Sequence, residues 1–96
     1  MRVEIAAEAE RDLAEITRYI AQDDVRVATK VIRDLRSACE GLSTFAKRFP
    51  IVPRYEQLGI RHRVCGNYLI FYRIEAECVV VIHVLHGARD YFDLFD

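Results

Sequence analysis

At 96 residues, 52% hydrophobic and 30% charged, the chain is one domain with enough apolar material for a core, which excludes disorder and collagen-like repetition. A net charge of −1 excludes a chain that is basic throughout, and the longest apolar run, interrupted by His83, is too short to span a bilayer. Cys39, Cys65 and Cys78 show no C-x-x-C spacing and no nearby histidine pair, so neither a disulfide framework nor a zinc site is expected, and no cofactor.

Arg2 to Ala6 alternates Val3 and Ile5 with charge, the pattern of a short half-exposed strand. Those residues carry Arg2 and Glu4 and lead straight into a helical pattern, unlike a signal peptide, so a cytoplasmic location is expected. From Glu8 to Gln22, Ala9, Leu13, Ile16 and Ile20 recur in steps of three and four and predict a helix with one apolar stripe. Glu8, Glu10 and Asp12 sit where the helix dipole favours negative charge. Asp23-Asp24 breaks the pattern, and Asp24 can cap a second helix over 25–46. The short link makes the two helices an antiparallel hairpin. Phe49-Pro50 ends it, and Ile51 to Gly59 is a loop stiffened by Pro53.

Three strands follow over 60–65, 68–75 and 78–86. Gly66-Asn67 and Ala76-Glu77 separate them at the length of tight hairpins, although Ala76-Glu77 is a poor turn sequence. The whole is an α+β domain: a strand, a helical hairpin, and a three-stranded antiparallel meander with the helices on one face. Two-residue turns set Arg63 opposite Ile70 and His83, Arg61 opposite Tyr72 and Val81, and Cys65 opposite Tyr68 and Leu85. The other face holds Ile60, His62, Val64, Leu69, Phe71, Val80, Ile82 and Val84, and its arginine-free centre is expected beneath the helices. The face of Arg61, Arg63, Tyr68, Tyr72 and His83 is then open.

Charge is unevenly placed. Between Lys47 and Arg73 six basic residues stand against Glu56 alone, a pointer to an anionic partner. After Gly87 the tail over 87–96 carries Tyr91, Phe92, Leu94 and Phe95, too apolar for a free terminus, and should dock on the domain. Gly87 is read as the sharp turn that allows it.

Ala9-x-x-Asp12-Leu13-x-x-Ile16-x-x-Tyr19-Ile20, then Gly66-x-Tyr68-x-Ile70-x-Tyr72, then Val84-Leu85-His86-Gly87-Ala88-Arg89-Asp90 resemble, in this order and over nearly the whole chain, the ParE/RelE superfamily of toxins. The His-Gly-Ala-Arg-Asp ending is most similar to the ParE, or plasmid-stabilisation, branch. That resemblance implies a type II toxin–antitoxin toxin that inhibits DNA gyrase and is neutralised by a ParD-like antitoxin. The alternative it implies is a RelE-like, ribosome-dependent mRNA interferase. A third is a degenerate relative that retains only antitoxin binding.

Metal-free RNA cleavage needs a base, an acid and cations around the phosphorane. Arg63 and Arg89 fall near the arginines of RelE-like nucleases, and His83 could complete a nuclease set of Arg63, His83 and Arg89. No lysine lies between Pro50 and Ile60, however, and Phe95 stands near the tail tyrosine. The departures favour the gyrase-binding reading, with Arg61, Arg63, Arg89 and Tyr91 as target-binding residues. The plainer alternative makes Arg61 and Arg63 solvated positions on a half-exposed strand, His83 a tolerated strand histidine, and Cys39 and Cys78 packing residues.

Overall fold

The computed structural model describes residues 1–88 and Phe95. The elements run β1 (Arg2–Ile5), α1 (Ala7–Ala21), α2 (Val25–Phe45), a 3-10 turn (Glu56–Leu58), β2 (Arg61–Cys65), β3 (Tyr68–Glu75) and β4 (Cys78–His86). Both helices begin and end within two residues of the periodic stripes that predict them. Asp24 caps α2 as expected: its Oδ1 accepts from the N–H of Arg26 at 2.9 Å and of Val27 at 3.2 Å. Glu10 on α1 and Arg36 on α2 close a 2.8 Å ion pair across the hairpin.

The sheet order is β1-β4-β3-β2. The meander β2-β3-β4 is antiparallel, and β1 pairs parallel to β4 from Arg2↔Cys78 to Ile5↔Val81. Gly66 takes φ 58 in the first turn, and Ala76 takes φ 53 in the second, a left-handed position that an alanine adopts less readily than a glycine. The rows Arg63↔Ile70 and Arg61↔Tyr72↔Val81 form as expected. Between Phe71 and Tyr72 the ladder shifts by one residue, so Ile70 faces Val84 and Tyr68 faces His86, not His83 and Leu85. Ile82 is the extra residue of this bulge.

The expected assignment of faces is reversed for β2, β3 and β4 up to the bulge; beyond it Val84 lies beneath the helices and Leu85 on the opposite face, as expected. Ile70, Tyr72, Val79, Val81 and Val84 meet Ala9, Leu13, Leu35, Ala38, Cys39, Leu42 and Ala46 of the helical layer. Arg61, Arg63, Tyr68 and Tyr72 therefore lie on the helix side of β2 and β3. The other face is not bare either. Val52, Tyr55 and Ile60 cover Phe71 and Leu85 there, with Leu69, Ile82 and Phe95 at the margin. A sheet buried on both sides has no polar face to mark solvent, so alternation alone could not orient it.

The chain does turn at Gly87-Ala88, but Gly87 does not adopt positive φ, which corrects the expected reason for a glycine there. Its role is close approach: its N–H donates to Asn67 O at 2.8 Å, and a Cβ would lie 3.3 Å from that oxygen. The expected docking of the tail over 87–96 falls outside the described residues except at Gly87, Ala88 and Phe95. Phe95 packs edge-on to Tyr55 at 5.0 Å and Phe71 at 5.4 Å.

Candidate functional site

Arg61 and Arg63 share one face of β2 because side chains two apart on a strand point the same way. Their guanidinium groups are held by backbone of the C-terminal half of α2 and of the segment that follows it. Arg61 Nη1 donates to Phe49 O at 2.6 Å and more weakly to Lys47 O at 3.4 Å. Arg63 Nη1 donates to Ala38 O at 2.7 Å, and its guanidinium lies 5.1 Å from the centre of the Phe49 ring. Ala38 lies inside α2, whereas Lys47 and Phe49 follow its C-terminus, so the two guanidinium groups bind backbone carbonyls within and just beyond the helix. Tyr72, fully buried, donates from its hydroxyl to Ala46 O. Burial pushes its phenol above the ordinary range, against the opposing pull of Arg61 and Arg63.

The approach of Arg63 to α2 depends on Gly41. A Cβ there would stand 3.0 Å from Arg63 Nη1. Sequence reasoning passed over Gly41, whose signal is a glycine in mid-helix with no turn to serve. Around this cluster Lys47 and Arg48 are exposed, and the Arg48 guanidinium sits 4.5 Å over the ring of Phe45, itself 42% exposed. Each of Arg61 and Arg63 spends one terminal nitrogen on backbone, and among the described residues no partner takes the others. The result is a half-buried cationic cluster with fixed positions, suited to carboxylate or phosphate oxygens.

His83 is not part of it. It stands opposite Phe71, with its ring 5.9 Å from that of Phe95, on the side of the sheet away from Arg63. Its Nδ1 lies 2.8 Å from Asp12 Oδ2, and the same oxygen accepts from Val84 N–H at 2.9 Å. The reason is topological. β1 ends at Ile5, and the outward N–H of β4 beyond that point needs another acceptor, which α1 supplies as Asp12. Asp12 was read as a charge favoured by the helix dipole and as one position of the first-helix motif, with no partner foreseen for it. The signal for more was its place three residues after Ala9 and four before Ile16, a carboxylate on an apolar stripe. The expected row joining Arg63 to His83 does not form. Arg89 and Tyr91 lie outside the described residues.

His86 closes the end of β4 locally, accepting from Ala88 N–H at 3.1 Å and stacking edge-on with Tyr68 at 5.5 Å. Cys39, Cys65 and Cys78 are free thiols. Among the described residues no group of His, Cys, Asp and Glu could hold a metal ion, and no helix is long and apolar enough to cross a membrane.

The family model for the ParE toxin of the type II toxin–antitoxin system parDE matches residues 3–91. The chain belongs to the ParE toxin family. Its fold is similar to that of a chain in the chromosomal ParDE toxin–antitoxin system from P. aeruginosa, with a TM-score of 0.75, 18% identity, and coverage of 90% of this chain and 95% of that one. It is also similar to a chain of the toxin–antitoxin complex RelBE2 from Mycobacterium tuberculosis, with a TM-score of 0.62, 27% identity, and coverage of 88% and 95%. No curated protein sequence matches. Membership of the ParE family makes this chain a toxin of a type II system, as the ordered motifs imply.

Proposed function

We propose that this toxin acts by binding DNA gyrase, without cutting nucleic acid, and is neutralised by a ParD-like antitoxin. The observation that carries the non-enzymatic part is the separation of the candidate nuclease residues. Arg63 on the edge strand β2 is tied to α2, while His83, two strands away on β4 and opposite Phe71, is tied to Asp12 of α1. A cation and a base meant for one phosphodiester must reach the same atoms. The neutralising partner is supported by the two similar structures, both solved as toxin–antitoxin systems. Target contact is assigned to Arg61, Arg63, Arg89 and Tyr91, where the cationic cluster offers nitrogens that the fold leaves over.

The test sets purified toxin in a gyrase supercoiling assay beside an in-translation mRNA cleavage assay. Loss of supercoiling with intact mRNA is the expected result, and cells expressing the toxin alone should filament with a DNA-damage response. Codon-specific cuts in ribosome-bound mRNA that vanish on His83→Ala would overturn the proposal in favour of the RelE-like reading. Arg89→Ala should relieve gyrase inhibition while melting temperature and antitoxin affinity hold. An Arg89→Ala protein that inhibits like wild type removes that residue from the contact surface.

A further inference from the structure

One turn of α1 and the ends of two strands enclose a hollow that the cationic cluster does not share. Glu15 and Tyr19 stand one helical turn apart and therefore on one face of α1, with Ile16 between them. Tyr68 opens β3 and His86 closes β4, and the two pair across the ladder. Together these side chains line a hollow of about 410 Å³, within the range of small-ligand clefts.

The floor is fixed and the rim is exposed. Ile16 and Tyr68 rest against the main core, which holds them in place. His86 is pinned by the N–H of Ala88 and by its edge-on contact with the Tyr68 ring. Tyr19 is 75% exposed, the most exposed large apolar side chain among the described residues. Glu15 is exposed too, and among the described residues it closes no ion pair. Arg11, one turn before it, turns instead to Glu8 at 3.8 Å, and Arg18, one turn after it, leaves it unpaired. A lone exposed tyrosine is ordinary. One that shares a hollow with a second tyrosine and an unpaired carboxylate has the makings of a seat for a cation.

We propose that the hollow between α1 and the paired ends of β3 and β4 receives an arginine side chain of a partner protein. Tyrosine faces carry partial negative charge and attract a cation, and the Glu15 carboxylate can accept its N–H groups. An anion would be repelled by that carboxylate, and a purely apolar side chain would strip water from it without return. His86 accepts on Nδ1, so in this arrangement its ring carries one proton and no charge. Shape decides between the two common cations. A guanidinium is flat and weakly hydrated, and it can stack on a ring while its edge donates to the acid; the ammonium group of lysine is compact and strongly hydrated. The inference goes beyond the proposed function, since it names a side chain and its seat and requires neither gyrase nor an antitoxin as the partner.

The probe is a Gly-Arg-Gly peptide with both ends blocked, titrated into the full ¹⁵N-labelled chain. Its controls carry citrulline, lysine or glutamate at the centre, and free spermidine stands for a cation that no protein supplies. The arginine peptide should shift the amides of Glu15, Ile16, Tyr19, Tyr68 and His86 and leave those of Arg61 and Arg63 in place. Citrulline, nearly the same shape without the charge, should bind about fivefold more weakly or worse, with lysine in between and glutamate not binding. Glu15→Gln removes the charge and keeps the shape, and Tyr19→Leu removes the ring and keeps apolar bulk. Both positions are exposed, so both variants should melt like wild type, and each should weaken the arginine peptide about fivefold. Equal binding of the arginine and citrulline peptides overturns the proposal, as does a Glu15→Gln protein that binds like wild type. So does the absence of any shift, a set of shifts centred on Arg61 and Arg63, or a lysine peptide or spermidine that takes the hollow more tightly than arginine.

Discussion

One carboxylate oxygen of Asp12 meets two donors, Val84 N–H and His83 Nδ1, and they are not equivalent. The Val84 residue is buried, and among the described residues its amide has no other acceptor, whereas His83 retains 21% of its side-chain exposure and can turn to water. Asp12→Ala should therefore cost about 1–3 kcal/mol, the desolvation of an unpaired buried group, and His83→Ala about 1 kcal/mol or less. Urea unfolding of both variants checks the order; equal losses would make the histidine the principal partner. Cys39 tests burial by a different route. Desolvation pushes its thiol from 9.0 up to about 11. Its folded value lies above the unfolded one, so between pH 9 and 11 the unfolded chain releases a proton that the folded chain keeps. Stability is lost as pH rises through that window, and Cys39→Ala should flatten the slope of unfolding free energy measured from pH 8.5 to 10.5.

Among the elements, α2 and β2 are joined through a gap left by Gly41. Glycine-to-alanine in a helix interior gains about 0.5–1 kcal/mol of intrinsic propensity. At position 41 the new methyl group would push on Arg63 Nη1 and loosen its bond to Ala38 O. Gly41→Ala should therefore stabilise an Arg63→Ala background by more than it stabilises wild type, with a coupling of about 0.5–1 kcal/mol in the four-way denaturation cycle. Additivity would show that the guanidinium moves aside at no cost.

The same pair explains what was hard to read in the sequence. Helix periodicity, the Asp24 cap and the Gly66 turn are local signals, and each lies where the pattern put it. The facing of the sheet is not local. An arginine at the centre of a strand face argues for solvent only when no backbone carbonyl is within reach, and Arg63 reaches one in α2 while Arg61 reaches two just beyond it. The bulge at Ile82 carries no sequence mark, because Val80, Val81, Ile82, Val84 and Leu85 suit either face. The candidate site was legible as a basic stretch and as two strand arginines, but not as a cluster braced by Gly41 and Phe49.

For the whole molecule, the second hydrophobic cluster is where the far end of the chain meets the middle. Phe95 joins Tyr55, Phe71 and His83 there and is half-buried. Phe95→Ala should cost about 1–2 kcal/mol, below the roughly 3–5 of a fully buried phenylalanine, read as a lower melting temperature with an unchanged helix signal by circular dichroism. Any deletion of the tail has to be judged against that loss before reduced toxicity is assigned to a missing contact.

The parallel pairing of β1 with β4 also governs when the molecule becomes itself. β4 lies between its neighbours in the sheet, yet it follows β1 by more than seventy residues, and it is the last strand among the described residues to be synthesised. At about 5–20 residues per second, several seconds pass between the emergence of the two partners. Until β4 arrives, Arg2–Ile5 has no strand to join, Asp12 has no Val84 amide to accept, and the helical hairpin has only β2 and β3 to lie on. A growing chain thus lacks its complete sheet until β4 has emerged, and a neutralising protein made alongside it has that interval in which to be waiting.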